Sequence, residues 1–330
     1  MKSITKCDIC NSNNIQFLDE TYDKNFDMNG VFHLVKCNKC GTILTDPRLN
    51  KKELQQYYPK EYYAFEKVLK CEDSLKVNLK MLLSVVYYFG SQQYFSELSW
   101  WKKICINIFR ILCLPLKFLI RGNYIVSGNK LLDIGCGSGQ FLSEIDESLF
   151  KMDKEKMDLH GIDPFTQAKE FNIKPDLFKA KYKKGSFNLI TMNMVLQHVD
   201  NPNEMLKEIH RILKKDSLFI VSASNTSSLA YFLFKTNWFQ LDIPRHLFNT
   251  SNRTLIELLN KHGFKVVKNR HNSRPNQFVE SLYQVFNKKN KHGVINRLLE
   301  VLFLPLTYLV NILKIGDQVE LWCIKDGVKI

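Results

Sequence analysis

The sequence predicts an α/β protein with a doubly wound sheet, preceded by a small metal-binding module. Three observations support this fold class. After residue 123, short apolar segments typical of buried strands alternate with segments of helical spacing. Three glycines at alternate positions follow the first of these strands. Near the amino terminus, two Cys-x-x-Cys pairs have the spacing of a metal site.

Length and composition describe a folded, basic protein. The 330 residues suggest about two domains, at roughly 150 residues each. A hydrophobic content of 45% excludes a disordered chain, and 14 Gly with 9 Pro exclude a collagen-like one. The net charge of +14 indicates an anionic partner: nucleic acid, a phosphorylated metabolite or an acidic membrane surface. The polar amino terminus has no signal-peptide core, so we expect a cytoplasmic protein.

Four of the nine cysteines form the metal-site pattern, as the pairs Cys7 with Cys10 and Cys37 with Cys40. Four thiolates suit a tetrahedral Zn²⁺ ion and leave no position open for water. The pattern therefore predicts a structural zinc ribbon within residues 1–60. The alternative is four unrelated buried thiols. No thiol chemistry is assigned to Cys71, Cys105, Cys113, Cys136 and Cys323.

Residues 61–122 are predicted to form a helical linker or cap. Apolar clusters occur at 81–89 and 104–120, and no acidic residue occurs between Glu97 and Asp133. This segment is therefore both apolar and cationic.

The glycine run carries the main functional signal. A short apolar strand ends at Asp133, Gly135, Gly137 and Gly139 follow, and a helical pattern begins near Gln140. Glycines at these positions allow a tight turn and let a ligand lie against the backbone, at the carboxyl end of a strand and beside a helix amino terminus. The G-x-G-x-G spacing differs from the G-x-G-x-x-G of dinucleotide sites.

The run from Leu132 to Gly139 resembles the first motif of the class I S-adenosylmethionine-dependent methyltransferases. The resemblance implies a Rossmann-like sheet, S-adenosylmethionine as cofactor and a methyltransferase domain over residues 123–330. A second strand ends at Asp163, whose carboxylate can accept both hydroxyls of a ribose. A further strand brings Asn193 to the same sheet edge. The predicted cofactor-binding residues are Asp133, Gly135, Cys136, Gly137, Gly139, Asp163, Pro164 and Asn193.

The remaining segments fit such a domain. Buried strands are predicted over 217–223 and 318–324, and a helix over 252–262 precedes a strand at 263–267. The family closes its sheet with an antiparallel hairpin. The resemblance therefore implies that residues 275–314 form a helical insertion within that hairpin, before the last strand.

A narrower resemblance is to the bacterial zinc-ribbon methyltransferases associated with polysaccharide and sugar-nucleotide biosynthesis. It is carried by the order of the cysteine pairs, Asp46-Pro47, the Tyr57-Tyr58 cluster, the glycine motif and the runs from Leu196 to Pro202 and from Pro244 to Phe248. In that family the segment corresponding to 225–250 lies over the substrate pocket. Its aromatic side chains fit a lid or a sugar-stacking wall, and the alternative is a plain core helix. They are Tyr231, Phe232, Phe234, Trp238 and Phe239.

The chain departs from the family in two places. Gln197 stands where the family often has Glu. The family also has an acidic residue after the third strand that meets the adenine amino group. Between Ile173 and Lys184 the only carboxylate is Asp176, and adenine recognition is left unassigned.

Two histidines are candidate catalytic residues. The adjacent sulfonium already activates the methyl carbon, so the protein mainly has to align donor and acceptor. A sugar hydroxyl as acceptor needs a general base, a role suited to histidine near neutral pH. His198 follows a strand on the cofactor side and is preferred over His246, which lies in the predicted lid. The alternative for each is a polar pocket or capping residue.

The predicted function is O-methylation of a sugar in a glycan or nucleotide-sugar intermediate of surface polysaccharide biosynthesis. The expected partner is a small-molecule or lipid-linked sugar acceptor. A zinc ribbon with a basic methyltransferase also resembles certain ribosomal RNA methyltransferases, and residues 244–297 contain eleven Lys/Arg against two Glu. Residues 1–50, however, hold six basic and six acidic residues, so the ribbon is neutral and a nucleic-acid partner is not expected.

A membrane-associated, inactive scaffold is the other alternative. Apolar stretches at 114–120 and 304–310 are interrupted by proline and are too short for a transmembrane helix. They are interpreted as packing against each other. Peripheral attachment to the inner face of the cell membrane is the alternative for these stretches.

Overall fold

The computed structural model describes residues 3–59, 130–150, 157–166, 171–287 and 293–325. The predicted helical cap at 61–122 lies outside the described residues, and so do Cys71, Cys105, Cys113 and the apolar stretch 114–120.

The amino-terminal part is an antiparallel meander that ends in one helical turn. Its elements are β1 (Ile15–Asp23), β2 (Met28–Cys37), β3 (Ile43–Asp46) and α1 (Lys51–Gln55). The Asn50 side chain caps α1 by accepting from the backbone N–H groups of Lys52 and Glu53. In return, the Glu53 carboxylate accepts from the backbone N–H of Asn50. This capping box fixes the point at which the chain leaves the meander.

The rest of the described chain alternates strands with helices. Its elements are β4 (Lys130–Ile134), α2 (Gln140–Phe150), β5 (Asp158–Ile162), β6 (Ile173–Lys174), β7 (Phe187–Asn193), α3 (Pro202–Ile212), β8 (Leu213–Ser224), α4 (Leu229–Phe234), β9 (Phe248–Asn249), α5 (Asn252–Lys261), β10 (Phe264–His271), α6 (Pro275–Val285), α7 (Val294–Ile312) and β11 (Gln318–Lys325). Short 3₁₀ turns occur at Leu196–His198, Lys235–Asn237 and Phe239–Leu241.

Seven of these strands form the central sheet, in the order β10-β11-β8-β7-β4-β5-β6. The five strands from β8 to β6 are parallel to one another, whereas β11 is antiparallel to both β8 and β10. The predicted α/β, Rossmann-like fold class is confirmed, with a mixed sheet rather than a wholly parallel one. The antiparallel β10–β11 hairpin is the one that the family resemblance implies.

The apolar runs become the central strands because both faces of the sheet are covered. Leu131 and Leu132 of β4 are fully buried, and so are Leu189 and Ile190 of β7. Parallel strands all end at one edge of the sheet. The residues that follow β4, β5 and β7 therefore meet at that edge.

The amino-terminal meander gains a fourth strand from the later part of the chain. β3 pairs with β9, with Leu44 opposite Phe248, so a four-stranded sheet of order β1-β2-β3-β9 includes a strand from the segment 225–250. Cys7 and Cys37 belong to the same hydrophobic core as Phe248. The meander therefore helps to position the segment that the sequence predicts to cover the substrate.

Between β10 and β11 the chain forms the two helices α6 and α7. The rings of Phe278 and Phe303 stack with centroids 5.6 Å apart, and the Tyr283 hydroxyl donates to Asn296 Oδ1 at 2.6 Å. Among the described helices, α7 is long and apolar enough to cross a bilayer by length and composition, with a mean hydropathy of 1.4. One of its faces is nevertheless held against α6.

Candidate active site

The four paired cysteines form one cluster. The Sγ atoms of Cys7, Cys10, Cys37 and Cys40 all lie within 4.8 Å of one another. Those of Cys7 and Cys40 are 3.7 Å apart, and those of Cys10 and Cys37 are 3.5 Å apart. Sulfurs about 2.3 Å from a central ion are roughly 3.8 Å from each other in a tetrahedron. The cluster is therefore compatible with a Zn²⁺ ion.

The backbone of each pair supports this geometry. The Asn11 N–H donates to the Cys7 carbonyl at 2.9 Å, and the Gly41 N–H donates to the Cys37 carbonyl at 2.8 Å. Asn11 and Gly41 have φ values of 60° and 74°, in the left-handed region that Asn and Gly tolerate best. Hydrogen bonds from the Cys7 thiol and the Thr42 hydroxyl lower the pKa of Cys40 to about 4, against the effect of its burial. Each turn thus presents two sulfurs to the cluster.

The glycine loop lies where β4 meets α2, and Gly135 is its tightest point. The Gly135 N–H donates to the carbonyl of Ile162 at the end of β5, at 2.6 Å. Its φ is +74°, and an added Cβ would lie 2.1 Å from Val195 Cγ2. Both the backbone conformation and the neighbouring side chain therefore require glycine. The space above the loop stays open to a ligand.

Asp163 is fixed beside this loop by backbone donors. One carboxylate oxygen accepts from the Gly137 N–H at 2.9 Å, and the other accepts from the N–H groups of Phe165 and Thr166 at 2.9 and 3.1 Å. Each oxygen can accept two hydrogen bonds, so capacity remains at the oxygen facing Gly137. The carboxylate can therefore accept one hydroxyl of the ribose of S-adenosylmethionine.

The other predicted cofactor residues divide into two groups. Asp133, Cys136, Pro164 and Asn193 line the same cavity as Gly135, Gly137 and Asp163. Gly139 does not line it, and its N–H instead donates to the Cys136 carbonyl at 2.9 Å. Gly139 therefore shapes the loop without facing the ligand. The thiol of Cys136 is buried, and burial raises its pKa well above the ordinary value.

Asp176, the carboxylate to which the sequence assigned no role, lies at the cavity. It follows β6 and lines the cavity together with Leu177 and Phe178, and its Oδ1 accepts from the Lys179 N–H at 2.9 Å. β6 is only two residues long, Ile173–Lys174, and such a strand has no detectable periodicity. Its parallel pairing with β5 is what brings Asp176 to the active edge.

His198 lines the cavity, and the tautomer of its ring follows from its contacts. Nδ1 lies 2.9 Å from the carbonyl oxygen of Arg245 and 3.1 Å from the hydroxyl of Tyr58. A carbonyl oxygen can only accept, so we assign the proton to Nδ1, and Nε2 carries the lone pair. Burial and the nearby His246 ring lower the pKa of His198 to about 3. The ring is therefore neutral at physiological pH.

His246 lies behind His198 and does not line the cavity. The two ring centroids are 4.7 Å apart. Nδ1 of His246 is 2.8 Å from the Gln240 carbonyl, and Nε2 is 3.4 Å from the side-chain nitrogen of Gln197. The structure thus separates the two candidates, because only His198 can reach a substrate.

Arg245 joins the elements around these histidines. Its guanidinium is fully buried, pairs with Asp23 and Asp242, and donates to the Tyr57 carbonyl at 2.8 Å. Although burial raises the pKa of Asp242, the Arg245 charge and the nearby histidine rings bring it down to about 2. The backbone carbonyl of the same Arg245 accepts from His198. The run from Pro244 to Phe248 therefore helps to hold the ring of His198 in place.

Tyr58 is a site residue to which the sequence assigned no role. Its ring lies 5.1 Å from that of Phe165 and 6.4 Å from that of His198, between centroids, and it lines the cavity. The amino-terminal part of the chain therefore contributes directly to the candidate active site.

The cavity has a volume of about 1460 Å³ and extends from the glycine loop past β7 towards β10, β11 and α6. We call its part beyond β7 the acceptor end. Its lining is rich in side chains that both donate and accept hydrogen bonds, and eight of them are amides. These amides are Asn25, Gln240, Asn272, Asn276, Gln277, Gln284, Asn287 and Gln318. Aromatic surfaces come from Tyr22, Phe26, Phe239 and Tyr283.

The prediction of an aromatic wall over residues 225–250 needs correction. Of its five aromatic side chains only Phe239 lines the cavity. Trp238 is buried in the core, where its Nε1 donates to Asp317 and its ring packs against Tyr231. Phe232 points outward and is 66% exposed. The segment contributes Phe239 and Gln240 to the lining, whereas the adjoining α6 contributes five side chains.

Residues 107–269 match a protein family described as a methyltransferase domain. A ubiquinone/menaquinone biosynthesis C-methyltransferase, UbiE, of Campylobacter jejuni is 25% identical over 135 residues, which cover 38% of this chain and 52% of that protein. A ubiquinone biosynthesis O-methyltransferase of Glaesserella parasuis is 28% identical over 117 residues, covering 32% of this chain and 50% of that protein. The chain thus spans about half the length of the curated relatives it matches.

Solved structures of similar fold include two S-adenosylmethionine-dependent methyltransferases. The one from Archaeoglobus fulgidus has a TM-score of 0.41 and 18% identity, over 67% of this chain and 94% of that one. The one from Mesorhizobium loti has a TM-score of 0.40 and 15% identity, over 62% of this chain and 94% of that one.

The family match, the glycine loop and the Asp163 carboxylate together define the class: the chain contains a methyltransferase domain of the class I, S-adenosylmethionine-dependent type, matched over residues 107–269. The predicted enzyme class and its cofactor are confirmed at this level. The relatives named above act in quinone biosynthesis according to their names, not on sugars or polysaccharides. The acceptor therefore has to be argued from the site of this chain.

Proposed function

We propose that this methyltransferase transfers the methyl group to a hydroxyl oxygen of a sugar, in a glycan or nucleotide-sugar intermediate of surface polysaccharide biosynthesis. The observation that supports this acceptor best is the lining of the acceptor end, with its eight amides. Amides donate and accept, as sugar hydroxyls do, and can therefore pair with several hydroxyls at once. The ring of Phe239 or Tyr283 offers an apolar surface to one face of a sugar.

The same lining argues against the acceptors in the names of the relatives. A quinone precursor with an isoprenoid tail would place a long apolar chain in the cavity, and buried amides would then lose hydrogen bonds to water without replacement. Arg274 and Glu280 also line the acceptor end and add to this polarity. A polar acceptor suits this lining better than an apolar tail does.

His198 is proposed as the general base. When bound, S-adenosylmethionine supplies a methyl group on a positively charged sulfur. Nδ1–H of His198 donates to the Arg245 carbonyl, which leaves Nε2 as the proton acceptor. As the sugar oxygen bonds to the methyl carbon and the carbon–sulfur bond breaks, Nε2 takes the hydroxyl proton. His246 is proposed as a positioning residue, since it holds the ring of His198 from behind.

The cysteine cluster is proposed to bind one structural Zn²⁺ ion. Its four ligands leave no open position for substrate, and it lies in the core shared by β3 and β9. Neither an RNA substrate nor an inactive scaffold is better supported by the site or by the relatives.

The proposed function can be tested by methyl transfer from labelled S-adenosylmethionine to four acceptor pools. These are nucleotide-sugars, extracted lipid-linked glycans, total RNA and a demethylated quinol. We expect label in one of the two sugar pools. Label confined to RNA or to the quinol would reject the sugar acceptor.

The base is tested separately with the variant His198→Gln. We expect kcat to fall about 100-fold or more, with unchanged binding of S-adenosylmethionine in calorimetry. His262→Gln is the matched control, because the His262 ring contacts Asn203 at 2.9 Å and does not line the cavity. Unchanged turnover of His198→Gln would remove His198 as the base.

A further inference from the structure

We propose that the exposed side of α7 binds the surface of an anionic lipid bilayer. This side, called here the apolar face, consists of large aliphatic side chains that are 50–74% exposed. Its members are Val294, Ile295, Leu298, Val301, Leu302, Leu309 and Ile312. Soluble proteins seldom leave so large a contiguous apolar patch in water. Binding to a membrane surface goes beyond methyl transfer itself.

The geometry of α7 favours lying on a membrane over crossing it. Successive exposed positions are one, three or seven residues apart, which places all of them on one stripe along the helix. The opposite side is fixed to the protein, where Asn296, Thr307, Val310 and Asn311 are buried. Asn311 accepts from the Ser273 N–H at 2.9 Å and donates to its carbonyl at 3.1 Å. A helix attached along its length can only present its free side to lipid.

The charge around the apolar face indicates which lipids it would meet. Residues 288–316 contain five basic residues and one acidic residue, Glu300. Arg297 and Lys314 are exposed near the two ends of α7. Basic residues beside an apolar face attract anionic headgroups while the aliphatic side chains enter the bilayer. The whole-chain charge of +14 adds to this attraction.

The same charges disfavour a second copy of the chain as the occupant. Two antiparallel α7 helices, related by a twofold axis, would place the Arg297 end of one against the Lys314 end of the other. Like charges would then face each other across an apolar contact. The negative headgroups of an anionic bilayer would instead attract Arg297 and Lys314.

Helix α4 provides a second apolar spot beside the end of α7. The Leu229 N–H, at the start of α4, donates to the Ile315 carbonyl at 3.0 Å. Phe232 and Leu233 are 66% and 54% exposed, and Lys235 follows them on the surface. Aromatic and aliphatic groups next to lysine are typical of interfacial helices. Both helices pack against α6.

The arrangement connects the bilayer with the acceptor end of the cavity. Tyr283 and Gln284 of α6 line that end, and the Tyr283 hydroxyl bonds to Asn296 of α7. If the proposed sugar acceptor holds, a bound bilayer would lie one helix away from it, as a lipid-linked sugar requires. The membrane contact itself does not depend on the identity of the acceptor.

The test is flotation of the full chain with vesicles, with no substrate present. One set contains phosphatidylcholine alone, and the other contains phosphatidylcholine with about 30% of the anionic lipid phosphatidylglycerol. We expect binding to the anionic vesicles that weakens with added salt. The variant Leu298→Glu/Leu302→Glu should lower the vesicle partition coefficient at least about tenfold, because it replaces apolar insertion by charge repulsion.

The matched control is Val31→Glu. Val31 is 61% exposed on β2, so this variant exchanges a similar apolar side chain for a charge elsewhere on the surface. Calorimetric binding of S-adenosylmethionine shows whether each variant is folded. The proposal is overturned if the wild-type chain binds neither vesicle, or if Val31→Glu loses binding as much as the double variant does. It is also overturned if the wild-type chain is a dimer in solution that the double variant dissociates.

Discussion

Arg245 and Asp23 form a two-point ion pair whose side chains are both fully buried. Nη1 of Arg245 lies 2.8 Å from one carboxylate oxygen of Asp23, and Nη2 lies 2.7 Å from the other. Asp23 is the last residue of β1, and the carbonyl of Arg245 holds the ring of His198. The amino-terminal meander and the proposed base therefore belong to one hydrogen-bonded network.

Replacing one member of this pair should destabilise the protein strongly. In the variant Asp23→Asn the Arg245 charge stays buried without its full partner, and breaking a buried pair typically costs about 3–5 kcal/mol. We expect a loss of this size in the free energy of unfolding, measured with urea. Asp19→Asn is the control because Asp19 is exposed on the same strand, and it should change stability by less than about 0.5 kcal/mol. Equal stability of the two variants would contradict a structural role for the pair.

The Gly135→Ala variant tests the glycine loop. An alanine there must adopt a φ of +74° and bring its Cβ to 2.1 Å from Val195. This contact displaces the Val195 side chain, which directly precedes the turn that contains His198. We expect the Kd for S-adenosylmethionine to rise at least about tenfold in calorimetry, because the loop must shift to relieve the contact.

Gly185→Ala separates backbone strain from this contact. Gly185 has a φ of +63°, but the nearest atoms to an added Cβ lie 3.9 Å away, on Lys214. It should show the same backbone strain, about 1–2 kcal/mol, and unchanged affinity for the cofactor. A similar loss of affinity in both variants would mean that general destabilisation, rather than the loop, explains the effect.

The parts of the site that sequence analysis could predict have local signals. The strand, glycine turn and helix around Gly135 lie within about ten residues, and the cofactor edge follows from the rule that parallel strands end together. The two cysteine turns are equally local. For these elements the spacing of residues along the chain is enough to predict the local backbone geometry.

The remaining parts depend on contacts between distant segments. Tyr58 meets His198 across 140 residues, and Asp23 meets Arg245 across 222. No periodicity or motif spacing encodes such pairs, because they are set by packing of the completed fold. For the same reason the sequence offers both His198 and His246, with His198 preferred because it follows a strand, and the structure shows that of the two only His198 lines the cavity. The aromatic residues of 225–250 gave a wrong expectation because a core tryptophan and a wall tryptophan have the same sequence pattern.

Removal of metal tests the cysteine cluster. We expect about one zinc per chain, and we expect its extraction with a chelator to lower the free energy of unfolding by about 4 kcal/mol, the linkage expected when free zinc exceeds its Kd 1,000-fold. Activity should fall as well, because the cluster lies in the core shared with β9. Cys40→Ser should lose the metal. Cys323→Ala, at a buried thiol outside the cluster, should retain it, and retention of zinc by Cys40→Ser would contradict the assignment.

The pH dependence of stability tests the environment of His198. In the unfolded chain this imidazole takes up a proton below pH 6.5, but in the folded protein burial and the His246 ring lower its pKa to about 3. Unfolding therefore takes up a proton between these two values. The contribution of His198 to stability is complete above pH 6.5 and is lost as the pH falls towards 3. His246 has a lowered pKa as well and adds a loss of the same sign.

We therefore expect the Tm of the wild-type protein to fall between pH 7.5 and pH 5, and His198→Gln to fall less over that range, because the variant no longer gains this proton on unfolding. His33→Gln is the matched control for the removal of a histidine, since the His33 side chain is 41% exposed on β2. A His198→Gln profile parallel to that of the wild type would mean that the ring is protonated as readily in the folded protein as in the unfolded chain. The neutral base proposed for the methyl transfer would then lose its physical basis.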